Sequence, residues 1–155
     1  MSHGRHVKVV GKGQADRLRS VAVMRDLLEA MVSRLGMRLL GAPHLYEVEE
    51  EISKLNVEPF EDEGGVTGVA VLSTSHCAIH TWPQRNFFVL DVYSCRDFEP
   101  EAVRQLLGEY FGAYALRLSD LSHSLVPTEE ALVTDLASED FEALDGGLTQ
   151  ELPVA

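Results

Sequence analysis

The spacing of apolar residues changes along the chain, and each change marks a predicted element. Between residues 14 and 35, Leu18, Val21, Met24, Leu27, Leu28, Met31, Val32 and Leu35 recur at three- and four-residue steps. That period gathers them on one stripe and predicts a helix over 14–35, with Gly36 placed to end it. Val103, Leu106, Leu107, Tyr110 and Phe111 predict a second helix over 99–111, with Pro100 near its start, where proline is tolerated. Between the two helices the pattern is β-like. Strands are predicted over 66–72, 76–81 and 87–93, with Pro83-Gln84-Arg85-Asn86 as the turn before the last. Shorter strands are predicted over 6–10, ended by Gly11-Lys12-Gly13, over 37–40 with a continuation toward Val48, and over 113–118. Residues 47–60 open on an acidic run and read as either a short helix or a loop, and 61–65 as a polar connection.

Strands grouped in the middle with two flanking helices predict an α+β fold. It is a two-layer sandwich, a mainly antiparallel sheet covered on one face by two helices. The uncovered face is then available to a partner subunit. The predicted domain is 1–122. Residues 123–155 contain no Lys or Arg and many acidic side chains, and are expected to form an acidic, partly disordered tail.

Composition narrows the function. The chain has 155 residues, 45% of them apolar, enough to bury a core without disulfides. With 25 acidic against 13 basic residues the net charge is -12, which argues against a nucleic-acid partner, since phosphate binding relies on clustered cations. No apolar run approaches the roughly 20 residues that span a bilayer. The first residues lack the apolar core of a signal peptide, so Cys77 and Cys95 are expected as reduced thiols in a cytoplasmic protein.

Candidate chemistry is concentrated in 71–95, which holds Ser73, Thr74, Ser75, His76, Cys77, His80, Asp91, Tyr93 and Cys95. Three chemistries fit these residue types. Ser75, His80 and Asp91 supply the parts of a hydrolytic triad, without the G-x-S-x-G elbow that usually presents the serine. His76 and His80 share one face of a strand and offer two metal ligands, without a C-x-x-C pair to complete a site; no metal is expected. The third is self-cleavage at Thr74-Ser75, in which the serine hydroxyl attacks the preceding carbonyl and the resulting ester eliminates. That reaction needs a strained, accessible peptide and groups that move protons. A two-residue loop at Ser73-Thr74 would place Thr67 directly opposite His80, bringing a hydroxyl and an imidazole near the cleavage point. Along one straight strand, by contrast, Ser75 and His80 lie roughly 16 Å apart on opposite faces.

A resemblance selects among these. Gly65-Val66-Thr67-Gly68, then Ser73-Thr74-Ser75-His76-Cys77-Ala78-Ile79-His80-Thr81-Trp82-Pro83, then Asp91-Val92-Tyr93-Ser94-Cys95 resemble the core of the bacterial and archaeal S-adenosylmethionine decarboxylase family. Gly4-Arg5-His6 resembles that family's opening, and the similarity runs over most of 4–118. It implies that Ser75 becomes a pyruvoyl group that forms a Schiff base with the substrate amine. It implies that His80 and the Thr67 hydroxyl assist processing, and that Cys95 returns a proton to the decarboxylated carbon. It further implies cleavage into chains 1–74 and 75–155, and paired protomers with active sites near the interface. The activity implied is decarboxylation of S-adenosylmethionine to the aminopropyl donor of polyamine biosynthesis.

Three positions depart from the family pattern. Thr74 stands where the family has Glu. Gln84 stands where a Glu holds the substrate's ribose hydroxyls. Glu61 falls at the position of the aromatic that stacks on adenine, with Phe60 one residue away. These departures leave two alternatives: the same chemistry on L-arginine or L-ornithine, and an unprocessed regulatory paralogue without catalysis.

Overall fold

The computed structural model describes residues 4–49, 52–53, 60–61 and 63–122, with 52–53 and 60–61 described by backbone alone. The predicted acidic tail lies outside the described residues. The elements in chain order are β1 (Arg5–Lys12), α1 (Ala15–Leu18), α2 (Val21–Arg34), β2 (His44–Val48), β3 (Ile52–Ser53), β4 (Phe60–Glu61), β5 (Gly65–Leu72) and β6 (Ser75–Trp82). A 3-10 turn over Pro83–Arg85 leads to β7 (Phe87–Ser94), α3 (Pro100–Phe111) and β8 (Ala115–Asp120). Six strands form one antiparallel sheet in the order β2-β5-β6-β7-β1-β8, while β3 and β4 pair separately. This is the predicted α+β sandwich.

Strand alternation explains the two layers. Val66, Ala70 and Leu72 of β5, Cys77 and Ile79 of β6, Phe88, Leu90 and Val92 of β7, and Val7 and Val9 of β1 all point to one face and are buried. Against them pack Met24, Leu27, Leu28 and Met31 of α2 and Val103, Leu106, Leu107 and Phe111 of α3. The intervening residues, among them Thr67, Val69, His76, His80, Val89, Asp91 and Tyr93, face away from the helices and are exposed or half-buried.

Several boundaries differ from the sequence reading. The helix predicted over 14–35 is two helices. Ser20 leaves the helical conformation and its hydroxyl accepts the Val23 N–H, capping α2, so the chain bends between Leu18 and Val21. The apolar stripe survives because Leu18 of α1 and the buried residues of α2 enter one core. At the other end Gly36 takes φ +68°, with Met37 N–H bonded to Val32 C=O and Gly36 N–H to Ser33 C=O. This pair of bonds is a Schellman cap. Residues 37–43 do not form the predicted strand. Only Leu39 bridges to Leu72, and pairing begins at His44. β1 runs on through Gly11 and Lys12, which pair with Phe88 and Phe87.

One buried polar side chain ties α1 to the sheet. Thr81 Oγ1 donates to the Leu18 carbonyl at 2.7 Å and accepts the Val66 N–H at 3.0 Å. The isosteric Thr81→Val change strands both backbone groups. It should lower unfolding stability by about 2–3 kcal/mol, read as a shifted urea midpoint at unchanged slope. A loss below about 0.5 kcal/mol would show that these groups find other partners.

Candidate active site

β5 and β6 form a hairpin joined by two residues, Ser73 and Thr74, with Leu72 opposite Ser75. Thr74, the second loop residue, takes φ +48°. A glycine or asparagine is at ease there, whereas a β-branched side chain is strained by about 1–3 kcal/mol. The strained residue supplies the carbonyl of the Thr74–Ser75 bond.

Around that bond lies a cleft of about 380 Å³ lined by residues of three segments: Gly36, Met37 and Arg38; Ser73, Thr74 and Ser75; Ser94, Cys95 and Arg96. Backbone bonds fix it. Ser73 N–H donates to the Arg38 carbonyl at 3.0 Å, and Cys95 N–H donates to Ser75 Oγ at 3.0 Å. Cys95 Sγ lies 3.8 Å from the Ser73 carbonyl oxygen, which also accepts the Thr74 hydroxyl at 2.9 Å. Hydrogen bonds with the Thr74 and Ser75 side chains, aided by the charge of Arg96, hold the Cys95 thiol below its ordinary range. Cys77 is the opposite case: it is fully buried beside Met31, and burial pushes its thiol up to about 12. It is a packing residue, and both cysteines are free thiols.

Thr67 does pair with His80 across the hairpin, with Oγ1 and Nδ1 3.1 Å apart. The pair is not near the cleavage point, however. Ser75 and His80 occupy the same strand, five residues apart, so they lie roughly 16 Å apart with side chains on opposite faces. The turn that sets Thr67 against His80 also carries both away from Ser75. They line a small pocket at the far end of the hairpin with Val48, Gly65, Trp82 and neighbours, beside a second cleft lined by Glu47, Glu49, Glu63 and Gln84. The side chains of Phe60 and Glu61, the two positions read against adenine stacking, lie outside the described residues.

The hydrolytic triad does not assemble. Asp91 turns to His6 and His76, accepting their Nε2–H groups or their protonated equivalents at 2.7 Å on separate oxygens, with Tyr93 stacked on His76. Partial burial pushes the Asp91 carboxyl up, but the bonds from His76 and His6 outweigh it and the net direction is down. His76, within the predicted strand, is an exposed residue held by this contact. His6 was absent from that reading because the β1–β7 pairing joins residues 85 positions apart. Arg38 and Arg96 were also absent. Arg96 adjoins Cys95 in sequence, but nothing local marks Arg38.

Comparison with known proteins identifies the family. The sequence model of the family described as S-adenosylmethionine decarboxylase matches residues 6–124. The chain is 37% identical over 73 residues to the S-adenosylmethionine decarboxylase proenzyme of Thermomicrobium roseum, a stretch covering 46% of this chain and 63% of that protein. It is 36% identical over 92 residues to the proenzyme of Syntrophomonas wolfei, covering 58% and 72% respectively. Its fold is similar to the crystal structure of the adenosylmethionine decarboxylase of Aquifex aeolicus, with a TM-score of 0.58 and 25% identity over 76% of this chain and 87% of that one. With the family's sequence model matching residues 6–124 and a fold similar to that crystal structure, this chain belongs to the S-adenosylmethionine decarboxylase family.

Proposed function

We propose that this chain is a proenzyme that cleaves itself between Thr74 and Ser75, converts Ser75 to a pyruvoyl group and decarboxylates S-adenosylmethionine. The observation that carries the reading is the meeting of Ser75, Cys95 and the strained Thr74 peptide in one cleft. Leaving the left-handed conformation favours breaking the bond that follows Thr74, and the Cys95 N–H fixes the attacking oxygen. The residues fit the group: the cleft is open beside Ser75, and a thiol stands next to the carbon that would need a proton. A pyruvoyl carbonyl there supplies an electron sink for the pair released with carbon dioxide. Cys95 then returns the proton, a role for a positioned acid of suitable strength. The names of the relatives favour S-adenosylmethionine over arginine, ornithine or an unprocessed paralogue.

The separation of His80 from Ser75 supports a paired protomer. No side-chain rotation crosses the sheet, so Thr67 and His80 serve a Ser75 only if it belongs to a second copy. The open sheet face, which carries both of them, is the surface available for that pairing. Gln84 beside Glu47, Glu49 and Glu63 lies at the same end of the hairpin and would join Thr67 and His80 in meeting a substrate held at the second copy's Ser75.

Purified chain should run as two fragments, 1–74 and 75–155, and Ser75→Ala as one band of 17.1 kDa. A Ser75→Ala protein that still splits removes the assignment. Co-expression of Ser75→Ala with His80→Ala chains should restore cleavage of the latter, because one mixed site then has both groups. Failure of this complementation, with each single variant inactive and folded, would place both groups within one protomer. Thr74→Gly relieves the turn. It should slow cleavage by about tenfold while stabilising the Ser75→Ala precursor by about 1 kcal/mol. Cys95→Ser should still be cleaved, but decarboxylate about 100-fold more slowly.

A further inference from the structure

Two arginines flank the Ser75 cleft without an acidic partner. Arg5, Arg34, Arg85 and Arg104 each stand in an ion pair, and Arg17, Arg19, Arg25 and Arg117 are not among the residues that line this cleft. Arg38 and Arg96 line the cleft and meet no carboxylate among the described residues, in a chain where acidic side chains outnumber basic ones 25 to 13. Both are held by backbone. The Arg38 carbonyl accepts Ser73 N–H, and the flanking Leu40 N–H donates to the Val71 carbonyl, each at 3.0 Å. Arg96 N–H donates to Ser94 Oγ at 3.0 Å, one residue after the Cys95 N–H that reaches Ser75 Oγ. The two thus approach the Thr74–Ser75 bond from separate segments.

Self-cleavage at that bond creates an anion in the same cleft. Ser75 Oγ attacks the Thr74 carbonyl carbon, the C–N bond breaks as the ester forms, and the freed amine takes the hydroxyl proton. Loss of the Ser75 α-proton with rupture of its Cβ–Oγ bond releases Thr74 as a carboxylate that keeps the former serine oxygen. The dehydroalanine left behind tautomerises to an imine, which one water hydrolyses to the ketone with release of ammonia. In balance, a neutral peptide and a water become a carboxylate, a neutral ketoacyl group and an ammonium ion. The ammonium ion leaves by diffusion, whereas the carboxylate stays tethered at residue 74.

We propose that Arg38 and Arg96 form a receiving site for the Thr74 carboxylate, holding the end of the upstream chain beside the new carbonyl after cleavage. This rests on the self-cleaving reading above. Guanidinium groups suit the task, since their paired N–H donors match a carboxylate in one plane. Both arginines are exposed, so each contact alone is modest; convergence on one tethered anion, without the entropy of capturing a free one, makes the pair effective. A substrate carboxylate shares this chemistry, and the experiment separates the two sources.

Arg38→Gln/Arg96→Gln is built in the self-cleaving chain and in Ser75→Ala, with the two single changes alongside. Cleavage is first scored by gel. Thermal unfolding is then followed without substrate. The expected result is a fall of about 2–4 °C in the cleaved protein, none in Ser75→Ala, and a smaller gap in 1 M salt. Equal falls in both backgrounds would mean that the arginines act on the fold and would overturn the proposal. Unchanged melting in both, with KM for substrate raised about tenfold, would assign the site to the substrate carboxylate and overturn it equally. If the double variant resists cleavage, the single variants carry the same comparison. A parent chain that is never cleaved defeats the underlying reading itself, and the gel identifies that case before any melting is measured.

Discussion

A turn of only two residues sets the register between β5 and β6, and the rest of the molecule depends on that register. Because side chains alternate along a strand, one residue more or less in the loop would exchange the two faces of the hairpin. The observed register sends Val66, Ala70 and Leu72, with Cys77 and Ile79, under the helices, and leaves Thr67 and His80 together on the open face. The same shortness forces Thr74 into the left-handed region. Fold stability and the strain at the candidate scissile bond therefore have one origin. The core, by burying Val66, Ala70, Leu72, Cys77 and Ile79 of this hairpin, holds a backbone conformation that the turn alone would not keep.

The sheet also sorts the candidate chemistry by position. Ser75 and Cys95 meet because β6 and β7 are neighbours, with His76 opposite Tyr93, so that Ser75 at the start of β6 receives the Cys95 N–H just beyond the end of β7. Thr67 and His80 meet because β5 and β6 are neighbours, at the hairpin's other end. His6 and His76 converge on Asp91 because β7 lies between their strands. This last group occupies the open face with Tyr93, where it supplies polar, hydrogen-bonded order among Val69, Ala78 and Val89. A partner covering that face would meet an already satisfied cluster, which avoids the cost of burying unpaired polar groups.

Legibility in the sequence followed the range of the interactions. Alternation over 66–72, 76–81 and 87–93 was enough to place the three central strands within a residue or so, and the short loop was enough to set Thr67 against His80. The split of the first helix was hidden because the apolar stripe crosses it unbroken; Ser20, a good capping residue, was the available signal. Residues 37–43 have strand-like composition but find no ladder partner beyond Leu39. What local pattern could not supply was strand order. Without β1 inserted between β7 and β8, neither His6 nor its contact with Asp91 can be inferred. Ser75 and His80 share one strand, and strand geometry, not residue type, keeps them apart.

The Ser75 hydroxyl has a second office besides attack. It is among the groups that hold the Cys95 thiol below its ordinary range. Elimination would consume that hydroxyl and leave a carboxylate nearby, and both changes move the thiol upward, toward its protonated form. The thiol would then hold its proton more firmly in the product than in the precursor. Maturation would thus build the electrophile and reset the acid beside it in one chemical event.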